Sequence, residues 1–333
     1  MTADQSVIVL EKHAAHDINS DYVWMMLPLL AMSIYFYGWR PLVLCIVALL
    51  TANLCDRLVA LLRNLPYDKS ENSSLAIALL LVMLFPASVP YQIVIIGVMV
   101  SVLMGKAAFG GYGAYPFNPT ALGFSVASVS CPEAVFRYPV PFASLPVFAN
   151  PTEGLVESIT HTLRVGGMPN VSLFNLVLGN YAGAMGTTAA LVIAACAMFL
   201  WMRKRITLFA PLGFLITCVA IAFFFPRLGG IGLDWLWVHV RLRMMVVLYE
   251  LLSGALLYGS VFLISEPVTT PKNEKSRLLY GMILGFVTMM FRYYGSYEIG
   301  ICFAILAVNA VSGYLDRTVS KHTHTREVTR LEN

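Results

Sequence analysis

The chain has 333 residues, of which 58% are hydrophobic and only 12% are charged, and its mean hydropathy is +0.74. Because about a quarter of the residues in a soluble domain are charged, this composition excludes an ordinary soluble protein and indicates a polytopic membrane protein. The net charge of +4 then concerns membrane topology, so the lipid bilayer is an expected partner and nucleic acid is not.

The N-terminal segment, residues 1–21, is polar and has no apolar core leading to a cleavage site, so it is not a signal peptide. We predict that it lies in the cytoplasm. The six cysteines form no C-x-x-C pair, which predicts neither a disulfide framework nor a zinc site. The sequence contains no nucleotide-binding glycine pattern or hydrolase motif, and we therefore predict no metal site and no catalytic side chains.

Apolar segments follow one another along most of the chain. Ten of them can cross a bilayer if short or broken helices are allowed: 22–38, 41–62, 74–90, 91–107, 116–130, 182–201, 207–226, 246–264, 279–295 and 297–313. The sequence therefore predicts an all-α polytopic membrane protein with about ten transmembrane helices.

The placement of basic residues supports this count. With a cytoplasmic N-terminus, ten spans put 15 of the 22 Lys and Arg residues on the inner side and 7 on the outer side, as the positive-inside rule requires. Both termini are then cytoplasmic. The predicted units are a first five-helix repeat at 22–130, an extracytoplasmic loop at 131–181, a second five-helix repeat at 182–315 and a cytoplasmic tail at 316–333.

Two short patterns recur between the five-helix units. Phe-Pro-Ala-Ser-Val-Pro at 85–90 aligns with Glu-Pro-Val-Thr-Thr-Pro at 266–271 at an offset of 181, and the aromatic and glycine positions of 109–115 align with 291–297 at an offset of 182. Since five is odd, the second copy would cross the membrane upside down. Inverted repeats place broken helices and a binding site at the interface between the halves, so we predict breaks at both pairs of prolines.

The glycine-rich stretch 105–119 is the strongest local signal. Gly110 and Gly111 permit backbone conformations closed to other residues and let a flat ligand or a second helix approach closely. Lys106 could hold an anion, and Asn118 offers a donor and an acceptor where the chain breaks. The alternative is a tight loop between two spans, with Lys106 as an inner-loop charge.

The predicted span 246–264 ends in a polar stretch that contains Glu266 and Thr269. A carboxylate and free hydroxyls at the rim of the hydrocarbon are costly, so both residues are candidates for binding a cation or orienting a cofactor. The alternative for Glu266 is that it caps the following turn. Within the span, Ser253 lies beside Gly254, and small residues there usually indicate close helix packing.

The turn between the last two segments carries opposite charges. Arg292 and Glu298 flank the sequence Tyr-Tyr-Gly-Ser-Tyr, and the simplest interpretation is that they pair with each other. The tyrosines are typical of an interfacial aromatic belt.

Five motifs carry a resemblance to a known family, and they cover roughly residues 22–318. They are Phe-Gly-Gly-Tyr-Gly…Phe-Asn-Pro (109–119), Leu-Gly-Asn-Tyr-Ala-Gly-Ala-Met-Gly-Thr-Thr (178–188), Leu-Leu-Ser-Gly-Ala (251–255), Glu-Pro-Val-Thr (266–269) and Tyr-Gly-Ser-Tyr-Glu-Ile-Gly (294–300). In this order they resemble the D-type membrane component of the Rnf ion-translocating electron-transport complex, a family homologous to the B-type component of the sodium-pumping NADH:quinone oxidoreductase.

The resemblance implies a bacterial inner-membrane subunit of ten helices, built as two inverted five-helix halves similar to urea transporters. It also implies a complex that passes electrons between ferredoxin and NAD while moving Na+ or H+, with other Rnf-type membrane subunits (A, E, G and C-like) as partners. The expected cofactor is FMN, with riboflavin as a further candidate, because the protein part of a flavoprotein supplies position and electrostatics. On this basis Asn118, Ser253, Glu266 and Thr269 are predicted to line the flavin pocket or the ion path.

In the resembling family the FMN phosphate is esterified to a threonine of a Ser-Gly-Ala-Thr-like motif in the outer loop. This chain has no such motif between 149 and 169. Counting back from Leu178, the acceptor would be Ser158 or Thr160, and Glu157 beside them would repel a phosphate. Two other classes therefore stay open: a flavin-free channel or transporter of the same fold, and a scaffold that anchors redox partners.

Overall fold

The computed structural model describes residues 3–64, 71–151, 154–227 and 239–331, with side chains described from residue 16 to residue 318 within these ranges. The described chain is mostly helical, and its strands are confined to one pair of two residues each. This agrees with the predicted all-α class.

The first part of the chain contains five helices. They are α1 Ala3–Tyr37, α2 Arg40–Leu62, α3 Ser73–Val82, α4 Tyr91–Met99 and α5 Pro119–Ser130. Helix α4 continues as a π-helix over Val100–Lys106 and a 3-10 turn over Ala107–Phe109.

The segment predicted as an outer loop is compact and has secondary structure of its own. It contains α6 Pro132–Val135, β1 Tyr138–Pro139, β2 Leu155–Val156, α7 Ile159–Arg164 and α8 Leu173–Leu178. The two strands are antiparallel, with Tyr138 opposite Val156.

The last part of the chain again consists of helices. They are α9 Ala190–Met202, α10 Phe209–Phe224, α11 Val240–Leu252, α12 Leu256–Tyr258, α13 Glu274–Tyr294 and α14 Gly300–Leu331. Helix α12 continues as a π-helix over Gly259–Leu263. Within the described residues, α2 packs on α3 and α4, while α10 packs on α11 and α13.

By length and composition, two of the described helical segments can cross a membrane: Arg40–Leu62 and Tyr91–Phe109. A third candidate is the bent pair Val240–Leu252 and Leu256–Leu263, whose axes differ by 60°. Three shorter apolar helices are α3, α9 and α10. The described chain thus contains the apolar helices of a membrane protein, several of them too short to span alone.

The predicted break at Pro86 and Pro90 is present. Helix α3 ends at Val82, whereas the apolar pattern had indicated a span that continues to residue 90. Hydrocarbon cannot satisfy the freed carbonyl groups, so protein donors do. The amides of Met185 and Gly186 donate to the carbonyls of Phe85 and Met83 at 3.0 and 2.7 Å. A Cβ on Gly186 would lie 2.6 Å from Met83 Cβ, which explains the glycine.

The break at Pro267 and Pro271 is also present, because helix ends at Leu263 and resumes at Glu274. An additional break corrects the prediction of one continuous span over 246–264. Ser253 is extended and Gly254 has a φ of +67°, a left-handed conformation that interrupts a helix. The Ser-Gly pair therefore bends the chain in addition to allowing close packing.

Candidate functional site

The carboxylate of Glu266 lies at the centre of a polar cluster in the second break. Tyr115 donates its hydroxyl to Glu266 Oε1, while Asn118 Nδ2 and Thr269 Oγ1 donate to Oε2 at 2.8 and 3.1 Å. The Asn118 amide also donates to the Leu263 carbonyl at 3.2 Å. Three of the predicted residues are thus brought together, with donors that are all neutral.

Local sequence explains how Asn118 reaches this position. It is the N-cap of α5, because its Oδ1 accepts from the Ala121 amide at 3.0 Å and Pro119 starts the helix. Its Nδ2 remains available for Glu266. The preceding turn requires glycine, since Gly110 and Gly111 have φ values of +114° and +110°.

A cavity of about 20 Å³ lies beside Glu266. Besides Glu266 and the start of α5, which contributes Asn118 and Thr120, the polar lining comes from α1, the start of α3 and the glycine-rich turn: Asn19, Tyr22, Ser73, Tyr112 and Tyr115. In the part of the chain that the structure describes, no Lys, Arg or His forms an ion pair with Glu266. A space of this size holds one water or one small dehydrated cation, and an isoalloxazine ring is far too large for it.

Ser253 lies outside this cluster, and its predicted place on the flavin pocket or the ion path stays a prediction. It lies at the additional break, where its Oγ accepts from Arg292 Nη2 at 3.0 Å. The same nitrogen donates to Thr160 Oγ1 at 3.4 Å. Arg292 Nε forms an ion pair with Glu250 Oε2 at 2.6 Å, and each side chain is only 4% exposed.

The predicted pairing of Arg292 with Glu298 is replaced by this contact with Glu250. Glu298 instead accepts from Ser158 Oγ at 2.6 Å. Burial raises the pKa of the Glu298 carboxyl, and the hydrogen bond from Ser158 opposes that rise. Ser158 also caps α7, because its Oγ accepts from the His161 amide at 3.1 Å.

A second cavity, of about 10 Å³, adjoins this pair. It is lined mainly by Tyr138, the start of α7, the segment 181–184 and the turn at 298–299. Ser158 and Thr160 both contribute to its wall and are only 6% and 4% exposed.

These surroundings do not fit a flavin esterified at Ser158 or Thr160. The Ser158 hydroxyl already donates to Glu298, and the Thr160 hydroxyl contacts an arginine whose charge Glu250 compensates. A phosphate at either oxygen would meet the carboxylate of Glu298 or displace the Glu250 ion pair, at a high cost in a buried site.

Lys106 forms a third cluster at the end of the π-helix. Its Nζ contacts Glu71 Oε1 at 2.7 Å, Ser74 Oγ at 2.7 Å and Asp56 Oδ1 at 3.5 Å. Ser74 in turn donates to Asp56 at 2.8 Å. Lys106 is thus a partner of carboxylates within the protein, and its predicted role in holding the anion of a ligand stays a prediction.

Sequence reasoning did not identify Tyr115 or Glu250 as members of these clusters. It also did not predict the hydrogen bond between Ser158 and Glu298. Tyr115 lay within the glycine-rich motif, and its place in the second repeat pattern was the signal that could have identified it. Glu250 falls inside an apolar run, where an ionisable residue is by default a candidate for function or pairing.

Comparison with known proteins gives one consistent result. The model of the NQR2, RnfD, RnfE family matches residues 2–325. The D subunit of the ion-translocating oxidoreductase complex from Escherichia coli O1:K1 is 27% identical over 321 residues, covering 87% of this chain and 88% of the relative. The relative of the same name from Escherichia fergusonii is 27% identical over 322 residues, with the same coverage.

Proposed function

The chain belongs to the NQR2, RnfD, RnfE family, and on that premise we propose that it is a membrane subunit of an Rnf-like ion-translocating oxidoreductase complex. Its relatives are named as the D subunit of such a complex. The other membrane subunits of the complex are then its partners, and the bacterial inner membrane, with both termini in the cytoplasm, is its location.

The observation that carries the proposal is the environment of Glu266. A cation that crosses a bilayer must exchange water for oxygen ligands, and an ionisable side chain inside a membrane protein marks such a path. Glu266 has neutral donors, no ion-pair partner among the described residues and a water-sized cavity beside it. These features suit a carboxylate whose charge is compensated by a passing Na+ or H+.

We propose two inverted five-helix halves as the framework of this path. The breaks after α3 and after the π-helix that follows α12 occupy the same place in the two parts of the chain, each followed by a helix that leads to the last helix of its part. That helix is α4 in the first part and α13 in the second, and a further helix, α5 or α14, follows. Polar groups at paired breaks are what such repeats place at their interface.

The test replaces Glu266 with Gln in the assembled complex. In proteoliposomes, electron transfer between ferredoxin and NAD should drive ion uptake in the wild type. We expect Glu266→Gln to lower that uptake at least about tenfold, the lower end of the loss seen when a partner of a metal ligand is removed. Unchanged uptake would remove Glu266 from the path.

Glu274→Gln is the matched control, since this exposed carboxylate begins α13 near the same break. It should leave ion uptake unchanged. A loss in both variants would indicate an effect of altered surface charge, and would count against a specific role of Glu266.

For the cofactor we propose that any flavin used with this subunit is held without an ester bond to Ser158 or Thr160. The supporting observation is that both hydroxyls are buried and occupied. We therefore expect no ultraviolet fluorescence on the denatured, electrophoresed subunit. A fluorescent band that disappears in Ser158→Ala or Thr160→Ala would overturn this and identify the acceptor.

The same observation favours a second candidate, a flavin-free channel or transporter of this fold. The two functions differ in their energy source. A channel moves its cargo without electron transfer, whereas ion uptake by a redox complex stops when ferredoxin or NAD is withheld. Measuring uptake by the purified protein alone, beside the complex, separates them.

A further inference from the structure

Glu298 is a buried carboxylate that the proposed ion path does not yet use. It lies in the turn between α13 and α14 and is 8% exposed. Its described partners are neutral hydroxyl groups, those of Ser158 and Tyr138. No Lys or Arg of the described residues forms an ion pair with it.

Two other charged or ionisable groups, both on α7, act on Glu298. Burial raises the pKa of the Glu298 carboxyl, and His161 and Arg164 oppose that rise. His161 Nδ1 lies 2.6 Å from Glu157 Oε2, and Arg164 donates to the carbonyls of Gly295 and Ser296 at 3.1 and 3.0 Å. Both groups therefore have direct partners of their own, and neither forms a direct ion pair with Glu298 among the described contacts.

The cavity beside Glu298, which we call the outer cavity, resembles in its chemistry the cavity beside Glu266, which we call the inner cavity. Each contains one carboxylate, at least one tyrosine and one short hydroxyl side chain, and neither is larger than about 20 Å³. In the inner cavity, Asn118, which lies directly before α5, contacts the carboxylate of Glu266. In the outer cavity, the turn before α14 supplies the carboxylate itself, that of Glu298.

The two cavities also lie on opposite ends of one short stretch of chain. Leu80 lines the inner cavity, and its carbonyl accepts from Tyr258 at 2.9 Å. Ala184 lines the outer cavity, and the neighbouring Met185 amide donates to the Phe85 carbonyl. The buried stretch 80–85 therefore runs from the wall of one cavity to a segment that lines the other.

We propose that Glu298, with Ser158 and Tyr138, forms a second binding site for the transported small cation, Na+ or H+, at the outer end of the path. This inference rests on the proposed function. A Na+ ion would be held by a carboxylate oxygen and by the lone pairs of the two hydroxyls after they rotate. A proton would reside on the carboxylate itself and leave the hydroxyls in place.

The first test compares Glu298→Gln and Glu298→Asp with the control Glu133→Gln in the proteoliposome assay. Glu133 is an exposed carboxylate of α6 on the same outer segment. We expect Glu298→Gln to lower ion uptake at least about tenfold, as for loss of a partner of a metal ligand. Glu298→Asp should restore part of it, and Glu133→Gln should change nothing.

This design separates the two levels of the proposal. If the wild-type complex shows no electron-driven ion uptake, the proposed function fails. If the wild type pumps, Glu266→Gln does not, and Glu298→Gln pumps like the wild type, then only the outer site is wrong. A third outcome is that Glu298→Gln loses ion uptake, Glu298→Asp does not restore it, and less complex is assembled. Glu298 would then have a structural role, and the proposed site would be wrong.

A second measurement uses the wild-type complex and does not depend on whether a variant folds. Dicyclohexylcarbodiimide reacts with protonated carboxyl groups, and peptide mass spectrometry locates the adduct. Labelling of Glu298 that Na+ prevents at constant pH identifies a Na+ site. Labelling that only rising pH prevents identifies a proton site. Absence of labelling, or labelling that neither Na+ nor pH alters, would contradict the proposal.

Discussion

Two carboxylates on the same stretch of chain, the buried Glu250 and the half-buried Glu266, have opposite surroundings. Glu250 forms an ion pair with Arg292 at 2.6 Å, and both side chains are 4% exposed. Glu266 is held by a tyrosine, an asparagine and a threonine and faces a cavity. The charge of Glu250 is compensated by Arg292. Under the proposed function, the charge of Glu266 is compensated by the transported cation. The kind of partner, and not the presence of an acid within an apolar run, therefore separates the two residues.

The largest effect is expected when Arg292 is removed. Arg292→Met would leave Glu250 charged and uncompensated in the interior, which costs about 3–5 kcal/mol of unfolding free energy. Denaturant-induced unfolding in detergent, followed by tryptophan fluorescence, measures the loss. The matched control is Arg164→Met, since the hydrogen bonds described for Arg164 go to two backbone carbonyls and it forms no direct ion pair among the described residues, and it should cost about 1 kcal/mol.

The comparison is made sharper by removing both charges of the pair. The double variant Arg292→Met with Glu250→Leu should recover most of the stability, because replacing a whole buried ion pair with apolar side chains is often neutral. Ion uptake should recover with it if the pair is structural. A stable double variant that does not pump would show that Glu250 and Arg292 belong to the ion path and that the contrast with Glu266 is mistaken.

Identifiable features of the sequence predicted the helix breaks and part of the polar cluster around Glu266. Proline removes a backbone donor and stops a helix, so the breaks at 86–90 and 267–271 follow from local chemistry. Asn118 before Pro119 is a recognisable helix start. Its contact with Glu266, 148 positions away in sequence, became predictable only through the repeat offset, which placed the glycine-rich turn and the second break at one interface.

What escaped prediction is the choice among long-range charge partners. Arg292 is near Glu298 in sequence, yet it pairs with Glu250 on α11 and donates to Ser253 at the bend that follows. Lys106 likewise pairs with Glu71 and Asp56 from other elements. The local charge pattern does not show which helices become neighbours, so only the packed structure assigns these pairs.

The smallest effect concerns the bend that lies between the two carboxylates. Gly254→Ala would place a side chain at a φ of +67°, which costs about 1–2 kcal/mol for a residue other than glycine, and its Cβ would lie 2.9 Å from Thr160 Oγ1. Stability should fall by at least that amount. The Na+ or pH dependence of uptake should stay the same, because Glu266 and its donors are not touched and, although Gly254 lines the cavity beside Glu298, the atoms nearest to the added Cβ belong to Thr160 and Arg292. Gly313→Ala in α14 is the control, since its added Cβ meets no atom within 4 Å; in a helix it should be neutral or slightly stabilising. A shift in the ion dependence of Gly254→Ala would mean that the bend couples the ion pair to the cation site, so that the two regions do not act independently.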